Sequence, residues 1–298
     1  SANDRSKSQV APKPGFIAAL DQSGGSTPGA LKAYGIPETA YSSEEDMFRL
    51  IHEMRVRIIT APSFSGEKVI GAILFERTMD GEAKGKPVPA YLWEDRGVVP
   101  FLKIDKGLED EVGGVRLMKP NPGLDTLLAR AAKLGVYGTK ERSVINLANP
   151  EGIAAVVKQQ FEVAHQVASQ GLVPIIEPEV LVKSPEKKAA EAILHDEVLK
   201  ALDAMPGDYS VMLKITIPEV ADLYDDVSRH PRMERVVALS GGYSLEESCA
   251  RLKQNRNMIA SFSRALLGGL SAAMSDAEFD ATLGRTIDLI YDASVNKV

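Results

Sequence analysis

Cysteine is almost absent: Cys249 is the only one, so no disulfide can form within the chain. That fits a reducing compartment, and a cytoplasmic location is expected. Aromatic residues make up 6% of the chain, none is interleaved with a basic stripe, and the net charge is −6. Nucleic-acid binders carry the opposite balance, so no nucleic-acid partner is expected. No apolar run approaches the ~18 residues of a membrane span, so no membrane partner is expected. The opening stretch SANDRSKSQVAPKPG lacks an apolar centre, so no secretory signal is expected. Histidine is scarce too: His52, His165, His195 and His230 have no metal-ligand spacing, and no metal site is expected. Also missing are a Pro/Gly/Ser-rich linker, a repeat and a low-complexity tract. The 298 residues therefore read as one domain, with 1–14 as a polar lead and 294–298 as a tail.

What is present is a regular alternation. Apolar or alternating runs predict strands at Gly15–Ser23, Ile70–Phe75, Val99–Lys106, Tyr137–Ile145, Leu172–Leu181, Tyr209–Pro218, Val236–Ser240 and Met258–Ser263. Stretches with helical periodicity separate them. One is Glu44–Ile59, with Met47, Leu50, Ile51, Met54 and Ile58 at helical spacing. Asn149-Pro150, Ser184-Pro185, Ser244 with Glu247, and Ser275 with Glu278 look like helix starts. The last helix is expected to end near Ala293. Thr78–Gly97 reads as an irregular excursion holding a short helix around Tyr91–Arg96. Strands alternating with helices imply a parallel sheet, and eight such units in this length fit an α/β fold of the (β/α)8 TIM-barrel type. An open doubly wound sheet is the alternative, but no G-x-G-x-x-G follows the first strand.

The stretch YSVMLKITIP, residues 209–218, carries a lysine in an apolar strand. Val211, Leu213, Ile215 and Ile217 share one parity, while Met212, Lys214 and Thr216 share the other. A strand covered on both faces offers Lys214 only a core or a cavity. Burial drives an ammonium to lose its proton, and a neutral amine attacks carbonyls. A lysine that merely reaches solvent at a strand end is the bland alternative. Seven further charges share the same kind of position: Asp21, Lys103, Asp105, Lys140, Arg142, Glu177 and Glu179. The opposite parity of the first, third, fifth and sixth strands is mostly aliphatic and belongs under the helices. The charges therefore face the barrel interior, at the end where barrel enzymes do their chemistry. Lys140 should favour a neutral Lys214, and one of Glu177 and Glu179 should hold a proton and serve as a general acid.

Ser240-Gly241-Gly242 follows the seventh strand, and Ser261, Ser263 and Arg264 close the eighth. Loops after these strands commonly hold phosphate, glycines expose N–H groups, and Arg264 offers a fork of donors. Ser23 and Ser26 in the loop after the first strand could hold a second anion, although any loop uses such residues. A nucleophilic lysine beside phosphate sites suggests Schiff-base chemistry on a phosphorylated sugar, with no cofactor beyond the lysine.

These segments resemble class I fructose-1,6-bisphosphate aldolase in its bacterial form. The likeness runs from about Gly15 to Ala265 and rests on LDQSGGS, FLKIDKG, GTKERS, VPIIEPEVL, VMLK, LSGG and SFSRAL. It implies reversible cleavage of fructose 1,6-bisphosphate, with Lys214 forming the imine at C2 and Glu177 moving protons. Asp21 would orient hydroxyls at the bond being broken, and Lys140 and Glu179 would support proton traffic. Ser240, Gly241 and Arg264 would bind the C1 phosphate, with Gly242 and Ser261 alongside. Lys103, Ser23 and Ser26 would bind the C6 phosphate, and Arg142 would sit beside the substrate. The C4 configuration, fructose or tagatose, stays open. So does a homo-oligomer, since the family is often tetrameric. The sequence departs from the animal pattern in three places: Gln22 replaces an acid, Glu141 replaces a tryptophan, and Ser263 stands where the phosphate loop usually has glycine. Tyr291 lies on the apolar stripe of the last helix, so it is expected to pack rather than to work as a mobile catalytic tyrosine.

Overall fold

The computed structural model describes residues 2–298. Eight strands follow one another: β1 (Phe16–Leu20), β2 (Val69–Leu74), β3 (Val99–Lys103), β4 (Gly138–Ile145), β5 (Val173–Val180), β6 (Val211–Thr216), β7 (Met233–Leu239) and β8 (Met258–Ala260). They lie side by side in chain order, each neighbour parallel. All eight predicted strands are found, several of them shorter than their apolar runs. A single backbone hydrogen bond among the described residues, Ala19 N–H to Phe262 O at 3.2 Å, spans the gap between β1 and the end of β8. The barrel is thus closed at its mouth but not laddered there.

Strand parity sorts the core into two. Ile17, Ile73, Phe101, Ile175, Met212 and Val237 fill the barrel interior. Phe16, Ala18, Leu20, Ile176, Leu213 and Ile215 pack outward under the helices. Each fully buried side chain of this kind contributes about 1.5–3 kcal/mol. Gly138 serves the interior: a Cβ there would come 2.3 Å from Val173 O and 3.0 Å from the Phe101 ring. The bare backbone lets that ring occupy the barrel.

Of the helices, α1 (Ala2–Val10), α2 (Thr27–Ala33), α3 (Glu44–Thr60), α4 (Val88–Arg96), α5 (Leu124–Lys133), α6 (Pro150–Ser169), α7 (Lys187–Ala204), α8 (Leu245–Leu252) and α9 (Asp276–Val295) matter here. Asn149, Ser244 and Ser275 each accept a hydrogen bond from a first-turn N–H, as their sequences implied. Ser184 is a correction: its hydroxyl accepts from Glu186 N–H in a turn, and α7 starts only at Lys187. The excursion after β2 is more ordered than expected, with a short helix Glu76–Met79, a hairpin Glu82–Ala83/Lys86–Pro87, and then α4.

Most of the polar lead is a helix that closes the bottom of the barrel; residue 1 lies outside the described residues. Val10 joins the interior cluster. Gln9 donates to Ile70 O and Gly97 O, and Arg235 of β7 donates to the carbonyls of Val10, Ala11 and Lys13. At the other terminus α9 runs past Ala293 to Val295, and Lys297 donates to Leu252 O, Met258 O and Ala293 O. Tyr291 packs on the core, half-buried. Among the described residues no helix is long and apolar enough to cross a membrane.

Candidate active site

The parity that puts Ile17, Ile175 and Met212 inside the barrel carries Asp21, Glu177 and Lys214 inward at its C-terminal end. Lys140 arrives there from β4. Its ammonium lies 2.7 Å from Asp21 Oδ2 and 3.0 Å from Glu177 Oε1. The other oxygen of Glu177 is 3.9 Å from Lys214 Nζ, and Lys214 donates to Ser261 Oγ at 3.1 Å. One carboxylate thus bridges two lysines. All four side chains are nearly sealed from solvent, Lys214 at 4% and Glu177 at 3% exposure.

The charges sort by environment. Burial lowers the Lys214 pKa; the Glu177 carboxylate opposes that shift, and Lys140 reinforces it. The amine is therefore the easiest of the lysines here to hold neutral. Burial works against the charge on Lys140 as well, but Asp21 and Glu177 outweigh it and raise its pKa. Burial alone would raise Asp21; Lys140 and Lys214 reverse this and hold it at about 2. The expected arrangement of a charged Lys140 beside a depressed Lys214 is present.

A second group lies further out. Arg142 Nε and Nη2 hold Glu179 at 3.1 and 3.2 Å, a bidentate pair. Glu177 and Glu179, expected to compete for one proton, instead have separate cations. Lys103 donates to Ser23 Oγ at 2.7 Å and lies 3.7 Å from Asp105. Ser26 Oγ donates to Ser23 O and accepts from Ser23 N–H, fixing that turn. After β7, Gly241 and Gly242 adopt φ of +64° and +105°, which the turn beside Ser240 requires. Arg264 faces Gly242 and Ser244 across a cleft of about 320 Å³ and makes no ion pair among the described residues. A wider cleft of about 620 Å³, walled by Met54, Ile58 and Leu267, runs from Ser26 to Arg264 beside the lysine chamber. Ser263 sits at φ −108°, so this position does not need glycine.

Two residues escaped the sequence reading. Arg55 of α3 is fully buried beneath the Asp21–Gln22 turn, where it donates to Gln22 O and Thr78 Oγ1. Burial holds it at about 10 despite the favourable charge of Asp21. Gln22 in turn donates to Ser263 Oγ, linking the ends of β1 and β8. The available signal was position: Arg55 falls four residues after Ile51 on the apolar stripe. The other is Glu141, which the sequence marked only as a departure from the animal pattern and which lies buried on the outward face of β4. The histidines stay away from the site; His195 pairs with Asp196 and Asp226, and His230 with Asp203.

Fold and site together define a (β/α)8-barrel enzyme whose ionisable groups converge at the C-terminal mouth. The chain belongs to the class I fructose-bisphosphate aldolase family: the profile "Fructose-bisphosphate aldolase class-I" matches residues 4–225. The class 1 fructose-bisphosphate aldolase of Porphyromonas gingivalis is 55% identical over 293 residues, covering 98% of this chain and 99% of that protein. Among solved structures, an aldolase of Plasmodium falciparum superposes with a TM-score of 0.78 at 21% identity, covering 100% of this chain and 95% of that one. An archaeal fructose 1,6-bisphosphate aldolase, carrying its catalytic lysine covalently bound to a carbinolamine, gives 0.55 at 12% identity, with 98% and 100% coverage. The activity is that of a lyase of glycolysis: fructose 1,6-bisphosphate is cleaved reversibly to dihydroxyacetone phosphate and glyceraldehyde 3-phosphate. Members of this class act on phosphorylated sugars without a metal ion.

Proposed function

We propose that Lys214 performs this cleavage as the Schiff-base nucleophile. The observation that carries the reading is Lys214 Nζ, sealed 3.9 Å from Glu177 with its pKa lowered by burial. Lys214 passes its ammonium proton to the Glu177 carboxylate beside it; the neutral amine then adds to the C2 carbonyl, and a proton of the new C–N group passes to the alkoxide. Glu177 then protonates the departing hydroxyl, which leaves as water, and the iminium forms. The same residue, now a carboxylate, takes the proton of the C4 hydroxyl as the C3–C4 bond breaks. The electron pair of that bond flows to the iminium nitrogen, giving an enamine and releasing glyceraldehyde 3-phosphate. Protonation at C3 and hydrolysis return dihydroxyacetone phosphate and the free lysine.

Asp21 orients the hydroxyls at the breaking bond, while Lys140 holds Asp21 and Glu177 in place and stabilises their charge. Ser261 positions Lys214, and Glu179 fixes the fork of Arg142 beside the substrate. Arg264 with Ser240, Gly241 and Gly242 takes the C1 phosphate; Lys103, Ser23 and Ser26 take the C6 phosphate. The archaeal aldolase of the same fold works through a catalytic lysine bound covalently to a carbinolamine, the chemistry proposed here for Lys214.

Borohydride reduces an iminium but not a merely bound sugar phosphate. Treatment with dihydroxyacetone phosphate and borohydride is expected to inactivate the enzyme and add one reduced adduct, mapping between Tyr209 and Glu219. Lys214→Met should stay folded and gain none. An adduct on Lys103 or Lys140 would move the nucleophile, and no adduct in an active enzyme would remove the mechanism.

A further inference from the structure

Between β4 and α6 lies a pocket of about 260 Å³ on the outer side of the strand that carries Lys140 and Arg142. Glu141 forms its floor. That side chain is fully buried, and neither carboxyl oxygen has a hydrogen-bond partner. Asn121 contributes a third unpartnered acceptor, Oδ1, while its amide nitrogen donates to Ile104 O. Asp105 borders the same space.

Apart from the exposed Lys119 ammonium at the rim, the side-chain donors nearest these oxygens are committed elsewhere. The Gln159 amide forms a closed pair with the backbone of Met118, donating to its carbonyl and accepting from its N–H. Gln160 Nε2 donates to Ser143 Oγ and to the Glu141 carbonyl. The Lys140 ammonium is turned to the opposite face of the strand, against Asp21 and Glu177. The two carboxyl oxygens and the amide oxygen are buried polar atoms with no hydrogen-bond partner in the protein. The acidic side chains do not converge as a multidentate metal cluster among the described residues. A divalent ion is therefore a poor fit, while a singly charged ion needs fewer carboxylates.

We propose that this pocket binds a small monovalent cation, either ammonium or a small primary alkylammonium, or potassium, with Glu141 as the charged ligand and Asn121 Oδ1 as a neutral one. Burial pushes the Glu141 carboxyl well above the usual carboxylate range, so the cation enters in exchange for a proton. The other charges facing Glu141 are Asp105 from the loop after β3, Lys140 and Glu177 across the strand, and Lys119 and Glu162 at the rim. Affinity should rise with pH as the exchange becomes easier. The ligand is independent of the substrate, and its binding does not depend on which lysine forms the imine.

Melting temperatures of the full chain in potassium, ammonium and methylammonium chlorides, each titrated against tetramethylammonium chloride at fixed ionic strength, test this. A saturable rise is expected. Ammonium and methylammonium acting alone mark a site built for N–H donors, and potassium acting as well marks a coordinating one. Glu141→Gln keeps the shape, loses the charge and should abolish the saturable rise. Asn121→Ala, further from the strand, should weaken the apparent affinity about tenfold, one hydrogen bond's worth. Equal melting in all salts, as for a pocket that takes only water, overturns the proposal. So does a saturable rise that survives Glu141→Gln, or an unchanged affinity in Asn121→Ala.

Discussion

Arg264 differs from the other charges of the mouth in making no ion pair among the described residues, which leaves its donors for a ligand. If it holds phosphate, Arg264→Ala should weaken dihydroxyacetone phosphate binding about 10- to 100-fold by calorimetry, the value of a charged hydrogen bond. The side chain is exposed, so the fold should not suffer; unchanged affinity would take Arg264 out of the site. Lys214, Glu177 and Asp21 were legible because a charge on the inner parity of a barrel strand has few other places to go. Arg55 and Glu141 were not, because each is a charge on a face that the pattern assigns to the apolar core. Only the folded packing shows that Arg55 supports the Asp21–Gln22 turn and that Glu141 opens on a pocket. The separate pairing of Glu179 with Arg142 was equally hidden, since residue parity says which face a group shares but not which partner it takes.

Elements were read as reliably as their periodicity allowed. The strands announced themselves by alternation, and α9 by its caps and apolar stripe. In that helix Tyr291 packs on the core, with the Lys68 ammonium 5.7 Å from its ring centre. Tyr291→Ala should therefore cost about 2 kcal/mol of stability, read as a lower melting temperature. Proton exchange from dihydroxyacetone phosphate should persist; its collapse at an unchanged melting temperature would make Tyr291 catalytic instead. α1 had no such announcement. Its sequence, ANDRSKSQV, shows no apolar stripe, and what holds it is the grip of Gln9 and Arg235 on distant backbone. Tertiary contacts of that kind leave no period in a sequence.

For the whole molecule, the buried charges link catalysis to acid stability. The Asp21 pKa in the fold, about 2, lies below the unfolded value near 4, so its pairing stabilises the protein above pH ~4 and is lost as pH falls toward 2. The contribution is on the order of 2 kcal/mol. Urea midpoints from pH 5 down to pH 2 should fall steeply for wild type and less steeply for Asp21→Asn; parallel curves would contradict the ion pairing. The same contacts also trace a line through the barrel. Asp21 at the end of β1 touches Lys140, which touches Glu177, which touches Lys214, which reaches Ser261 at the end of β8. The two terminal strands share one backbone hydrogen bond at the rim, yet they are clasped through the interior by the groups that would carry out the reaction. Breathing of the barrel should therefore begin where its first and last strands meet. Amide hydrogens of β1 and β8 should exchange faster than those of β4 and β5, and Lys140→Met should speed exchange at the first pair selectively. Uniform protection around the barrel would show that the clasp bears no strain-sharing role and that closure rests on the helices alone.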